Sequence, residues 1–215
     1  MRVLLIRPLY ERKAISPNFP IGLAYLATAL RRAGHRPEIL DLPIKADPWG
    51  ELKTVLAHDF YPLVGISALT VQYPGAIQVA KAVRRLVPAV RLVLGGPHPT
   101  ALPAESLRES GADFAVRGEG EVALVRLADA LETGEGLCDV PGLVFREAGG
   151  EGIRSNPQPE IRPTADSLGF PDYSLVDLGP YLRLPMSEYV RPNARPMQIV
   201  TSRGCVFRCT YCHRL

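Results

Sequence analysis

The sequence predicts an α/β fold: a five-stranded, doubly wound parallel sheet of Rossmann-like architecture. Three observations predict it. Short apolar runs of strand length recur five times before residue 118. Each run is followed by a segment whose apolar residues repeat at helical spacing. Proline opens and glycine closes several of those segments, as the backbone at helix ends favours. Strict strand–helix alternation calls for parallel strands with helices on both faces.

The elements follow in order. Arg2–Arg7 (RVLLIR) is apolar throughout, which suits a parallel strand buried on both faces. Pro20 suits a first helical turn, Leu23, Leu26, Ala27 and Leu30 mark the buried stripe, and Gly34 ends the helix. Pro37–Asp41 is a second strand. Asp47-Pro48 reads as a cap and first-turn proline for a helix reaching His58. Pro62–Ser67 is the third strand, and Val79, Val83, Leu86 and Val87 give the next helix its buried face. Val90–Gly95 is the fourth strand, Pro103–Ser110 a short helix, and Asp113–Arg117 the fifth strand. Leu124, Leu127, Ala128 and Leu131 define a last helix closed by Gly134. Gly142–Arg146 and Gly152–Ser155, separated by Gly149-Gly150, read as a hairpin. Residues 156–193 are proline-rich and aperiodic, as an extended connector is. An apolar run from Met197 reads as the strand that opens a second domain. The expected division is 1–135, 136–193 and 194–215.

Composition narrows the function. The 215 residues carry a formal net charge of +3, and the basic residues are scattered without interleaved aromatics. That is no nucleic-acid footprint. No apolar run approaches membrane-spanning length, and Met1 leads straight into a strand with no secretory signal. Four cysteines without an even framework suit a reducing, cytoplasmic setting, with Cys138 an ordinary small side chain.

Chemistry concentrates at the end of the chain. Cys205, Cys209 and Cys212 lie within eight residues, spaced C-x3-C-x2-C, directly after Gly204. Three thiols in so short a loop pair poorly as disulfides and leave one over. Thiolates are the usual ligands of iron–sulfur clusters, and three of them leave one iron of a cubane open. The other reading is a tetrahedral zinc site completed by His213, although the adjacent Cys212 and His213 are hard to aim at one ion.

A second constellation lies at strand ends, where open parallel sheets bind ligands. The third strand ends Ser67-Ala68-Leu69-Thr70, the fourth Gly95-Gly96-Pro97-His98, and the fifth Gly118-Glu119-Gly120. Small residues there leave a trough for a broad ligand, and glycine lets backbone approach it. Singly, each glycine pair reads as a turn. The first strand lacks a G-x-G-x-x-G turn, which counts against nicotinamide or flavin. Asp41 reads as a loop or capping residue, His35 as a partner of a helix carboxyl end, and His58 as a surface side chain. His98 either touches the ligand or caps the next helix.

The cysteine spacing resembles the cluster loop of the radical S-adenosylmethionine (radical SAM) superfamily. The resemblance implies that Cys205, Cys209 and Cys212 hold a [4Fe–4S] cluster. It implies S-adenosylmethionine on the fourth iron, with Tyr211 beside the adenine, and an electron donor such as flavodoxin or ferredoxin. Ser67-Ala68-Leu69 followed by Gly95-Gly96 resembles the S-x-L…G-G pair of the cobalamin-binding domain that precedes many radical SAM barrels. The likeness extends to Asn18–Leu26, which includes Pro20, and to Ala33–His35 and Gly118–Glu121. It implies that Ser67 packs along the benzimidazole tail and that Gly95 and Gly96 line its channel. Pro20, Leu69, Thr70, His98, Gly118, Glu119 and Gly120 are the further cobalamin contacts it suggests.

A D-x-H-x-x-G motif is absent, so the resemblance implies base-off cobalamin without a histidine below the cobalt. The implied function is that of the N-terminal part of a cobalamin-dependent radical SAM methyltransferase. Its target would be an unactivated carbon of a small-molecule or natural-product-like substrate. The same cofactors serve ring rearrangement or oxidative cyclisation, and a non-enzymatic cobalamin- or nucleotide-binding domain with a zinc loop is the third reading. The sequence stops three residues after Cys212, so a truncated barrel, inactive by itself, is expected.

Overall fold

The continuous apolar run Arg2–Arg7 forms β1, which pairs in parallel with β2 (Arg36–Asp41) on one side and β3 (Leu63–Ser67) on the other. The computed structural model describes residues 1–10, 18–147, 152–158, 164–182, 197–205, 207, 209, 210 and 212. β4 (Arg91–Gly95) pairs with β3, and β5 (Phe114–Val116) with β4, both in parallel. These are the five expected strands. The sheet does not stop there: β6 (Leu143–Arg146) pairs antiparallel with β5, and β7 (Ile153–Ser155) antiparallel with β6. The expected hairpin is therefore present but continues the same sheet, giving the order β2-β1-β3-β4-β5-β6-β7. It covers the edge that β5 would otherwise expose.

Strand alternation sorts the helices onto two faces. Val3, Leu5, Leu63, Val93 and Phe114 point toward α1 (Ile21–Arg32) and α6 (Gly120–Thr133). Leu4, Ile6, Val64, Ile66 and Leu94 point toward α2 (Pro48–His58), α3 (Tyr73–Leu86) and α5 (Pro103–Ser110). Asp47 caps α2 by accepting from Gly50 N at 3.0 Å, as its sequence suggested. In α3 the buried face is Ala76, Val79, Ala80 and Val83, whereas Leu86 is exposed because the helix ends there. A further short helix, α4 (Pro97–Ala101), precedes α5; its two prolines hid it from a periodicity reading.

The segment after the hairpin docks back onto the sheet domain through α7 (Ala165–Leu168), a turn at Tyr173–Leu175 and α8 (Gly179–Leu182). Asp172 N donates to Thr28 Oγ1 at 2.7 Å, and Asp172 pairs with Arg31. Phe19 packs against Tyr173 and edge-on against Tyr181. Residues 197–203, expected as a strand, belong to no strand. A strand exists only through a ladder partner, and none lies beside them among the described residues.

Candidate functional site

β1 feeds α1, which returns to β2, while β3 onward builds away on the other side. Strand order thus reverses between β1 and β3, the place where such sheets open a crevice at their carboxyl ends. A cavity of about 400 Å³ lies there, roofed by α1 and the start of α6. Its floor is one register row across three strands, Leu5, Gly65 and Val93. Gly65 is decisive: a Cβ there would come within 2.9 Å of Leu5 Cδ2, so the missing side chain is what leaves a notch in the floor.

The expected strand-end residues divide. Ser67, Leu69, Gly95, Gly96, Gly118, Glu119 and Gly120 line the cavity. Gly96 is more than a turn residue. At φ +100°, an added Cβ would stand 2.9 Å from Ala68 O and 3.3 Å from Ser67 Oγ, so two strand ends approach only because it is glycine. Ala68 N donates to Gly95 O at 2.8 Å and His98 N to Ala68 O at 3.2 Å, which lock the two ends together. Gly118 N donates to Thr100 Oγ1 at 3.0 Å, and Thr100 Oγ1 donates to Gly96 O at 2.8 Å, which ties in the third.

Pro20, Thr70 and His98 do not line the cavity. Pro20 is the buried residue that opens α1. His98 stacks on Tyr73 with ring centroids 3.7 Å apart, and its Nδ1 lies 3.4 Å from Thr70 Oγ1. Burial there pulls its pKa below the ordinary 6.5, although Glu109 acts in the other sense. No histidine lines the cavity among the described residues. His35 sits 3.2 Å from Asp129 at the end of α6, and His58 is exposed. Tyr211 and His213 lie outside the described residues.

The cavity rim belongs to the end of the chain. Val200, Arg203 and Gly204 border it, and Cys205 follows. Arg203 donates to Glu119 Oε2 at 2.7 Å and to Glu121 Oε1 at 2.6 Å, and its guanidinium lies 4.9 Å from the Tyr25 ring centroid. Burial opposes the charge of Arg203, but the bond to Glu121 and the two carboxylates outweigh it and hold its pKa above the ordinary arginine value. Both glutamates sit at the start of α6. Glu121 is 4% exposed, and its Oε2 has no hydrogen-bond partner among the described residues. A largely apolar cavity with glycines at two of its strand ends suits a broad ligand that backbone can approach closely.

Cys205, Cys209 and Cys212 are all free and exposed, beyond the rim. Gly204, at φ +79°, turns the chain into the loop, and Cys212 N donates to Cys209 O at 3.2 Å. Exposed thiols on one short loop suit a cluster that needs an open side. Cys138 is likewise free and exposed, remote in sequence from the loop. Sequence reasoning missed Gly65, Tyr25 and Arg203 as site residues. A glycine inside a strand is a sign of close approach, and Gly65 carried that sign; nothing in the spacing marked Arg203.

Comparison with known proteins finds a family, relatives in sequence and a likeness in structure. The B12 binding domain family model matches residues 12–128. An uncharacterized methyltransferase of Pyrococcus horikoshii is 33% identical, over 99% of this chain and 45% of its own length. The anaerobic magnesium-protoporphyrin IX monomethyl ester cyclase of Rubrivivax gelatinosus is 30% identical over 99% of this chain and 38% of its own. The radical S-adenosylmethionine methyltransferase TsrM of Kitasatospora setae, solved with cobalamin and a [4Fe-4S] cluster bound, superimposes with a TM-score of 0.64 at 28% identity. That likeness covers 73% of this chain and 30% of the other. The chain spans less than half the length of the curated relatives it matches.

Proposed function

Because the chain belongs to the B12-binding domain family, we propose that it supplies the corrinoid cavity and the cluster loop of a cobalamin-dependent radical SAM methyltransferase. The observation that carries this is one of position. The strand-end cavity and the three-cysteine loop share a rim at Arg203-Gly204. Cobalamin would occupy a domain at 1–135, the docked segment would span 136–193, and 194–215 would begin the radical SAM domain. Cys205, Cys209 and Cys212 would hold the [4Fe–4S] cluster, with S-adenosylmethionine on its open iron and Tyr211 beside it. When bound, the cofactors supply a transferable methyl group and a hydrogen-abstracting radical.

The residues of this chain do the positioning. The Gly65 notch accepts a flat tail between sheet and helices, and Gly95, Gly96 and Gly118 let backbone approach it. Ser67 offers a hydroxyl at the same wall. Leu5, Leu26, Val93 and Val116 exclude water from the floor. Apolar walls with few polar groups are what a tightly held cofactor needs. With no histidine on the cavity, the cobalt would have no imidazole from this domain.

The substrate would be a small molecule and the electron donor a flavodoxin or ferredoxin, in a reducing compartment that keeps the thiols free. Among the described residues no helix is long and apolar enough to cross a membrane. Oxidative cyclisation is the second reading, favoured by the 30% identical cyclase relative. Product analysis separates the two.

The test is cofactor retention. The anaerobically reconstituted full chain is loaded with hydroxocobalamin, reduced, desalted and examined by electron paramagnetic resonance. The expected result is bound cob(II)alamin without nitrogen hyperfine splitting, beside iron and sulfide at cluster stoichiometry. Folded protein that keeps no cobalamin, or a colourless protein holding zinc, overturns the proposal.

A further inference from the structure

Arg203 carries more than a surface ion pair does. It is two residues from Cys205, only 16% of its side chain is exposed, and it bonds two carboxylates on one helix start. Its guanidinium also covers Tyr25 of α1. Three separate pieces of chain thus meet on one side chain: α1, the start of α6 and the approach to the cysteine loop. Among the described residues, 197–203 have no strand partners, so side-chain bonds of this kind position them. Charge-assisted bonds to partly buried carboxylates are the strong class for that purpose.

The same cluster is part of the cavity. Arg203, Glu119 and Glu121 all line it, so the ion pairs that hold the approach to the cysteine loop also form part of the wall a ligand would pack against. A ligand seated on that wall would restrict the cluster, and ligand and cysteine loop would then share it.

We propose that Arg203 is the positioning residue of the cysteine loop, a latch that sets Cys205 at the cavity rim and couples loop order to a corrinoid in the cavity. The latch itself rests on the ion pairs alone; the coupling rests on the corrinoid reading above. Linkage makes the coupling reciprocal: whatever orders the loop tightens the ligand, and the reverse.

Hydrogen–deuterium exchange on the cluster-free full chain tests both halves, read over residues 199–212 with and without methylcobalamin in the dark. Equilibrium dialysis of the same samples reports binding. In the unsubstituted protein, exchange over this stretch slows when ligand binds. In Arg203→Met the loop exchanges roughly tenfold faster without ligand, the scale of losing one hydrogen bond to a charged group. Bound methylcobalamin then no longer slows it, while peptides of β1 to β4 keep their rates. Arg203→Lys, which keeps the charge and reaches one carboxylate, falls between. A loop that exchanges at the unsubstituted rate in ligand-free Arg203→Met overturns the latch. Slowing by ligand that survives in Arg203→Met overturns the coupling. If methylcobalamin does not bind the unsubstituted protein, the corrinoid reading and the coupling fail together, and the ligand-free comparison still decides the latch. Should Arg203→Met not fold, Glu119→Gln removes one of the two ion pairs at the more exposed carboxylate and is read the same way.

Discussion

Gly65 shows how much one absent side chain can determine. Its neighbours in the row, Leu5 and Val93, are both larger, so the notch between them is local. Gly65→Val is expected to fill it and to weaken cobalamin retention by at least tenfold, on the scale of overpacking a fitted site. Titration with hydroxocobalamin measures this, and near-native thermal unfolding would show that the loss is local. A second residue-scale expectation concerns Tyr73, whose hydroxyl donates to Glu109 at 2.9 Å. Burial first, and the Glu109 bond second, push its phenol up to about 12 from the ordinary 10.0. The folded state keeps a proton that the unfolded chain releases sooner. Its contribution is therefore whole below pH 10 and lost as pH rises toward about 12. Urea unfolding across that window should show a falling stability that flattens in Tyr73→Phe. At this scale the sequence was partly legible. The small residues at strand ends announced the cavity, but His98 and Thr70, read as cavity residues, went to the Tyr73 corner. Stacking between residues 25 apart leaves no local pattern to read.

Asp41 matters at the scale of elements. It ends β2, is 3% exposed, and accepts from Arg7 Nε at 2.6 Å and Nη2 at 2.7 Å. The Tyr181 hydroxyl of α8 donates to Oδ2, the oxygen that also accepts from Arg7 Nη2. One carboxylate therefore joins β1, β2 and the docked segment. Burial pushes the Asp41 carboxyl up, against Arg7 and Tyr181, which both favour its ionised form. Asp41→Asn leaves the Arg7 guanidinium buried without its counter-ion, and a loss of about 3–5 kcal/mol is expected in urea unfolding. Tyr181→Phe keeps the ion pair and should cost about 1 kcal/mol. Asp41 read only as a loop or capping residue, since its partners stand 34 and 140 positions away. The hairpin was legible from its glycines, yet its attachment to β5 was not, because edge pairing is settled by which strand lies free. The strand expected at Met197 failed for the converse reason: apolar residues were present, and among the described residues a ladder partner was not.

Across the whole molecule the alternation of strand and helix was the strongest signal, and all five parallel strands lie within a residue or two of their expected bounds. The strand order could not be read from that alternation, because any right-handed winding satisfies it. Order is nevertheless what places the crevice between β1 and β3. The cavity also has an uneven ancestry along the chain. Its floor and walls come from residues no later than Leu124, while its rim begins at Val200, about 75 residues further on. At roughly 5–20 residues per second, a ribosome takes on the order of 4–15 s to cover that distance. The walls are thus complete in the nascent chain for seconds before Arg203 emerges, and through that interval the crevice stands open from above to whatever is dissolved around it.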